Sequence, residues 1–245
     1  ADSLYTTVLS RVERREDDPV IQASLLNGYG KVLQDLSRTD SAEAVLQEAL
    51  ALHEQMAEPD TTELVRTLGH LGHTHLYQER FEEGEKKYRR ALALVEEVST
   101  ERNLLLKKDL LNDLAILYGN EGSQRRAEEM YRRALAISKQ LYGKGSADVA
   151  MILNNLSDVL EEAGKLEEAD RVSARSVALH RKHYSSSHQW LGYTLTSRSE
   201  VLKALGQYEE AIPRAEEALD IFETNLGPNH PHALVTRGEL ADLYL

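Results

Sequence analysis

The sequence contains no cysteine. This excludes disulfide staples and thiolate metal sites, and it fits a reducing compartment. Aromatic residues are only 6% of the 245, with one tryptophan, Trp190, and two phenylalanines, Phe81 and Phe222. Proline occurs five times. Runs of β-branched residues are missing, while Ala, Leu, Glu and Arg are abundant. That is the composition of helices, in which these side chains lose little rotamer freedom. No apolar run approaches the roughly 18 residues of a membrane span. Positive charge is short: 29 Lys and Arg against 41 Asp and Glu leave a net charge of −12. A surface this acidic argues against nucleic acid, whose phosphates need neutralising, and against anionic lipid. The opening residues show no signal-peptide pattern and do not begin with methionine. A cytoplasmic chain that forms part of a longer protein is expected.

What the sequence does have is a stride. Ala49, Ala91, Ala134, Ser176 and Ala218 recur at steps of 42 or 43 residues in the phrases QEALAL, RRALAL, RRALAI, ARSVAL and EEALDI. Seven residues before each stands another small residue: Ala42, Gly84, Ala127, Ala169 or Ala211. A period of this length with small residues at fixed slots predicts stacked helical hairpins. The first helix of each hairpin carries Leu26, Leu68, Leu111, Leu153 or Leu195. Three residues on come Tyr29, Leu71, Leu114, Leu156 and Arg198, and seven on come Leu33, His75, Tyr118, Leu160 and Leu202. Offsets of 0, 3 and 7 trace one apolar helix face, which also places His75 toward the core. Between them a small slot holds Gly30, Gly72, Ala115, Ser157 or Ser199, where two helices can approach closely. Gly122, Gly164 and Gly206 fit left-handed turns ending the first helices. The pairs Glu82-Glu83, Glu167-Glu168 and Glu209-Glu210 suit helix N-termini.

The phrase L-x-x-[LY]-[GAS]-x-x-[LYH], the glycine turn and the paired small residues resemble the tetratricopeptide repeat. The long unit, with phrases such as LNNLSDVL and LGPNHPHAL, resembles the variant of kinesin light chains and of bacterial multidomain proteins. The resemblance implies an all-α, right-handed superhelical solenoid of antiparallel helix hairpins. Five full repeats and the first helix of a sixth occupy residues 19–245, after an N-terminal helix, a partial repeat or cap, in residues 1–18. One departure is the large slot of the second helix, which holds Tyr88 and Tyr131 but also Leu46, Ser173 and Ala215.

In this family the first helices line a concave groove, so the resemblance implies which residues face it: Asn27 and Lys31; Arg66, His70 and His73; Asn112 and Asp113; Asn154, Asn155, Asp158 and Glu162; Ser197 and Glu200; and, in the sixth unit, Glu239 and Asp242. An asparagine amide donates and accepts at once and can bracket an extended peptide backbone. Lys31 and Arg66, with two titratable histidines, make the early groove cationic, and Asp113, Asp158, Glu162 and Glu200 make the later groove anionic. A bipolar ligand is expected. His70 and His73 lie one turn apart, but no HExxH-type set accompanies them, and neither metal nor cofactor is expected. GKGS at Gly143 to Ser146 lacks the spacing of a phosphate loop.

No nucleophile–base pair has diagnostic spacing, so a non-enzymatic binder of a partner peptide or domain is expected. Alternatives are a regulatory segment of a larger signalling enzyme, such as a bacterial serine/threonine kinase, and a scaffold that self-associates end to end through the C-terminal helix. Pro213 falls inside a second helix that starts near Tyr208, where it is expected to remove a hydrogen bond and bend the helix. The stretch Tyr184 to His188 replaces the usual linker and is expected to be loose.

Overall fold

The computed structural model describes residues 18–96 and 100–245. Among the described residues every regular element is a helix: α1 (Pro19–Asp35), α2 (Thr39–Gln55), α3 (Thr61–Tyr77), α4 (Phe81–Val95), α5 (Glu101–Asn120), α6 (Gln124–Tyr142), α7 (Ala147–Glu162), α8 (Leu166–His183), α9 (Gln189–Ala204), α10 (Tyr208–Leu226) and α11 (Pro231–Leu243). The helix expected before residue 18 lies outside the described residues. The chain divides into two compact units, Ala1–Glu121 and Gly122–Leu245. The first holds α1 to α5 and the second α6 to α11.

Two different devices start the helices. The first helix of each hairpin has a side-chain cap. Asp18 accepts from the backbone N–H groups of Val20 and Ile21, and Asp60 from those of Thr62 and Glu63. Thr100, Ser146, His188 and His230 cap α5, α7, α9 and α11. These side chains satisfy amides that a helix start leaves without partners. The second helices, α2, α4, α6, α8 and α10, have no side-chain cap bond. They follow tight turns that close the preceding helix, with Arg38 N–H on Leu33 C=O, Arg80 on His75, Lys165 on Leu160 and Gln207 on Leu202, each at 2.8 or 2.9 Å. The acidic pairs stand in the first turns of α4, α8 and α10, where their charge opposes the exposed helix dipole.

Each turn contains one residue with positive φ. Gly122, Gly164 and Gly206 fill this slot as expected, but the first two turns place Ser37 and Glu79 there, both at φ 57. A Cβ in this region crowds the following carbonyl, at a cost of roughly 1–2 kcal/mol. Glu79→Gly is therefore expected to stabilise the first unit by about 0.5–1 kcal/mol once the greater unfolded-state freedom of glycine is subtracted. Urea unfolding followed by circular dichroism measures it.

The apolar slots form the core. Leu26, Leu68, Leu111, Leu153 and Leu195 are buried, and so are Ala49, Ala91, Ala134, Ser176 and Ala218. Helices α1 and α2 pack as a hairpin, as do α3 and α4, α7 and α8, and α9 and α10, while α11 packs on α10. Within each unit neighbouring first helices touch one another, α1 with α3, α3 with α5 and α7 with α9, whereas second helices stand further apart. Within each unit the first helices thus form the tighter layer.

Arg198 sits where the pattern asks for an apolar residue, and the structure supplies the reason. Its Nη1 donates to the Asp170 carbonyl at 2.7 Å and to Ser173 Oγ at 3.0 Å, and it pairs with the Asp170 carboxylate. Ser173 occupies the slot of Tyr88 and Tyr131, so the two departures from the repeat compensate each other. The 184–188 stretch is tied down by rings: Tyr184 stacks on His180 and on His188, with centroids 5.6 and 4.3 Å apart.

Candidate functional site

In the first unit α1, α3 and α5 present Asn27, Lys31, Arg66, His70, His73, Asn112 and Asp113. Asn27 is buried, only 3% exposed. Its Nδ2 donates to Glu63 Oε2 at 3.4 Å, and its Oδ1 accepts from His70 Nδ1 at 2.9 Å. An amide oxygen can only accept, so this contact fixes the His70 tautomer. Asn27 therefore fastens α1 to α3 and is not a free ligand contact. Gln34 adds a second fastening, donating to the His70 carbonyl at 2.7 Å and to Thr74 Oγ1 at 2.8 Å.

The electrostatics of this wall differ from the expectation. Burial, followed by the charge of Lys31, holds His70 down to about 4. The same two causes lower His73, whose ring stands edge-on to Tyr77 at 4.7 Å. Both histidines are neutral near pH 7. Lys31 pairs with Asp35, and Arg66 with Glu63 at 2.6 Å. The cations proposed to attract an acidic ligand each have a carboxylate beside them. His75 points into the core as expected and donates from Nε2 to Glu43 Oε1 at 3.2 Å. On α5 Asp113 is raised to about 6, chiefly by burial, and the neighbouring Asn112 Oδ1 is shut off from water with no hydrogen-bond partner.

The first helices of the second unit, α7, α9 and α11, carry more acidic residues. Asn154 Nδ2 donates to Ser197 Oγ at 3.2 Å and approaches Asp158 Oδ2 at 3.5 Å. This brings Asn154, Asp158 and Ser197 together across two helices. Asn154 Oδ1, like its counterpart in Asn112, is buried without a partner. Asn155 is half-buried and Glu162 exposed. Burial raises Asp158 to about 6 against the hydrogen bonds of Ser197 and Ser157, and Glu162 and Glu161 add to the rise.

Glu200 is solvent-exposed as a residue, yet its carboxyl group is pushed up to about 8. Loss of solvation within the wall is the larger cause, followed by the Glu239 carboxylate on α11, with Asp158 and Glu161 contributing. Glu239 is raised by burial as well. Each carboxyl group disfavours the ionised form of the other. The role of Glu161 was not anticipated. A sequence signal for the acidic wall does exist: Asp158, Glu200 and Asp242 recur at the same slot of three successive first helices, 42 residues apart.

Among the described residues no helix is long and apolar enough to cross a membrane. The tetratricopeptide repeat family model matches residues 21–97, 63–140, 109–182 and 190–245. No curated protein matches the sequence. Among solved structures, BtubC (BKLC) from P. vanneervenii is 21% identical, with a TM-score of 0.73 over 92% of this chain and 89% of that one. A putative kinesin light chain from Podosopora anserina is 20% identical, with a TM-score of 0.64 over 76% and 87%. A Rap protein complexed with Competence and Sporulation Factor is 12% identical, with a TM-score of 0.64 over 93% and 65%. At these identities the likeness shows the fold.

Proposed function

The chain belongs to the tetratricopeptide repeat family, and we propose that it is a protein-interaction module that holds a partner peptide or domain against its first helices. The observation that carries this reading is the pair of unanswered amide oxygens. Asn112 Oδ1 and Asn154 Oδ1, on first helices of the two units, are shut off from water and have no hydrogen-bond partner. A buried acceptor left in that state costs about 1–3 kcal/mol. We infer that these amides turn toward an extended ligand as it binds, so that its backbone N–H supplies the missing donor and recovers part of that cost. That a Rap protein is complexed with Competence and Sporulation Factor supports a partner-binding role for this architecture. The kinesin light chain likeness is consistent with it.

A peptide array probed with the full chain tests the reading. Asn154→Ala combined with Asn155→Ala is expected to weaken hits seated on the second unit about tenfold, the equivalent of one lost hydrogen bond. Asn112→Ala should do the same for hits on the first. The helical circular dichroism signal should not change. Hits that bind every variant with unaltered affinity would move the binding surface elsewhere.

A further inference from the structure

Within each unit, neighbouring second helices are tied together at one recurring slot. Glu54 of α2 pairs with Arg90 of α4 at 2.6 Å, and Arg181 of α8 pairs with Glu217 of α10 at 2.5 Å. In both pairs the partner stands 36 residues further along the chain. The same slot between α6 and α8 holds Lys139 and Arg175, at the same spacing. Here two cations meet where the other copies place opposite charges.

Two more cations join them. Arg175 Nη2 donates to the Lys144 carbonyl at 3.2 Å, which seats the α6–α7 linker against α8. One residue on, the Gly145 carbonyl accepts from His183 Nε2. Lys182 Nζ lies 3.8 Å from where a Cβ at Gly145 would stand. Lys139, Lys144, Arg175 and Lys182 are thus gathered around one linker, and among the described residues none of the four has a carboxylate partner. Asp148, the acidic residue in the first turn of α7, accepts from Ser138 Oγ at 2.6 Å. Burial, followed by the charges of Arg175 and Lys144, holds the Lys139 amine below its ordinary value, the direction expected of cations that lack a counter-ion.

Helix C-termini favour cations, which accounts for Lys139 and Lys182 in the last turns of α6 and α8. It does not account for Arg175 in the middle of α8, nor for Lys144 in the linker. At the next junction the places of Arg175, Lys144 and Lys182 are taken by Glu217, Ser186 and Thr224.

We propose that this cluster is a docking surface separate from the first helices, and that it takes an acidic peptide segment of a partner protein. One ligand carboxylate between Lys139 and Arg175 restores the pairing that the equivalent slots already have, and adjacent carboxylates reach Lys144 and Lys182. Lys144, Arg175 and Lys182 are exposed, so an extended segment meets them on an open surface. The net charge of −12 favours a short segment over a long polyanion. Fields are screened within about 10 Å in 0.1 M salt, so a short segment feels the cluster, whereas a nucleic acid or lipid surface also lies along the acidic surroundings.

The probes are fluorescein-labelled hexaglutamate and hexaglutamine peptides, read by anisotropy with the full chain in about 50 mM salt, where screening is weak. Hexaglutamate should bind at least tenfold more tightly than hexaglutamine. Lys139→Gln with Arg175→Gln should remove that advantage. Lys86→Gln with Lys87→Gln takes the same charge from α4 and should leave it in place. Equal losses in the two double variants would reduce the effect to net charge and overturn the proposal. Lys139→Glu recreates the Glu54–Arg90 arrangement, and it should abolish hexaglutamate binding without lowering the urea midpoint. A lower midpoint would mean that Lys139 and Arg175 do not oppose each other, and the premise would fail. Tighter binding of a single-stranded oligonucleotide than of hexaglutamate would overturn the choice of a peptide. The Asn154→Ala, Asn155→Ala variant should bind hexaglutamate as the parent does. Loss there, with indifference to Lys139 and Arg175, would move the acidic peptide to the first helices, removing this surface while leaving the groove reading intact.

Discussion

Replacing Pro213 with alanine is expected to stabilise the second unit by about 2–3 kcal/mol, the largest gain available from a single exposed position. Proline stands six residues into α10, and the helix runs through it from Tyr208 to Leu226. At that depth the residue should donate to the carbonyl of Glu209, and proline has no N–H to give. Its ring also presses on that carbonyl, and together these cost about 3 kcal/mol in a helix interior. The side chain is exposed, so little packing is lost with it. The corresponding places in the other second helices hold Ala44, Lys86, Glu129 and Arg171, all good helix formers. A smaller opposing effect is the unfolded-state freedom that alanine restores, about 0.4–1 kcal/mol. Urea unfolding of the variant beside the parent measures the difference. An unchanged or lower midpoint would mean that proline itself helps α10 to seat Ala215 and Ala218 against its neighbours.

The hairpins were legible because their causes repeat. A leucine at offset 0, apolar partners at 3 and 7, and small residues at the crossing leave a helix few other ways to bury its face. What repetition could not reveal lies where the sequence departs from it. Ser37 and Glu79 occupy a left-handed turn that glycine announces in three later copies and nothing announces in the first two. Arg198 and Ser173 each look like damage to the pattern when read alone. Their hydrogen bond shows that an aromatic ring and its apolar neighbour have been exchanged together for a serine and an arginine.

On the first helices, which side chains neighbour one another was legible and charge was not. The resemblance brought Asn154, Asp158 and Ser197 to one face, and the structure joins them through hydrogen bonds. It also brought His70 and Asn27 to one face, but there the hydrogen bond turns both residues into struts. Formal charge misjudged both walls for one reason: ionisation depends on what else faces a group and how much water it keeps. Lys31 and Arg66 count as positive until Asp35 and Glu63 stand beside them. Glu200 counts as negative until Glu239 approaches it from a helix 39 residues along the chain.

A large loss from a small change is expected at Gly72. Alanine normally gains roughly 1 kcal/mol over glycine inside a helix. At Gly72 its Cβ would lie 2.8 Å from Tyr88 Cζ and 2.9 Å from Cε1 and Cε2. Tyr88 is fully buried and its hydroxyl has no partner, so the ring has no free space to take up. From the other helix Gly84 faces the same crossing, where a Cβ would meet the Gly72 carbonyl at 3.1 Å. Overpacking of this kind costs about 1–3 kcal/mol beyond the propensity gain, so Gly72→Ala is expected to lose on the order of 2 kcal/mol. Gly28→Ala is the control. Its Cβ meets nothing within 4 Å, and it should gain about 0.5–1 kcal/mol. The four hairpins whose helices share a unit point to the remedy. Gly30 and Gly72 stand where the second helix offers Leu46 and Tyr88, whereas Ser157 and Ser199 stand where it offers Ser173 and Ala215. Volume removed on one helix is returned on the other. Gly72→Ser with Tyr88→Ala, which recreates the pairing of the last hairpin, should therefore lose at least 1 kcal/mol less than its two single changes added together. Strict additivity in that cycle would mean that the small slot and the large slot do not share a contact, and the crossing described for α3 and α4 would be wrong.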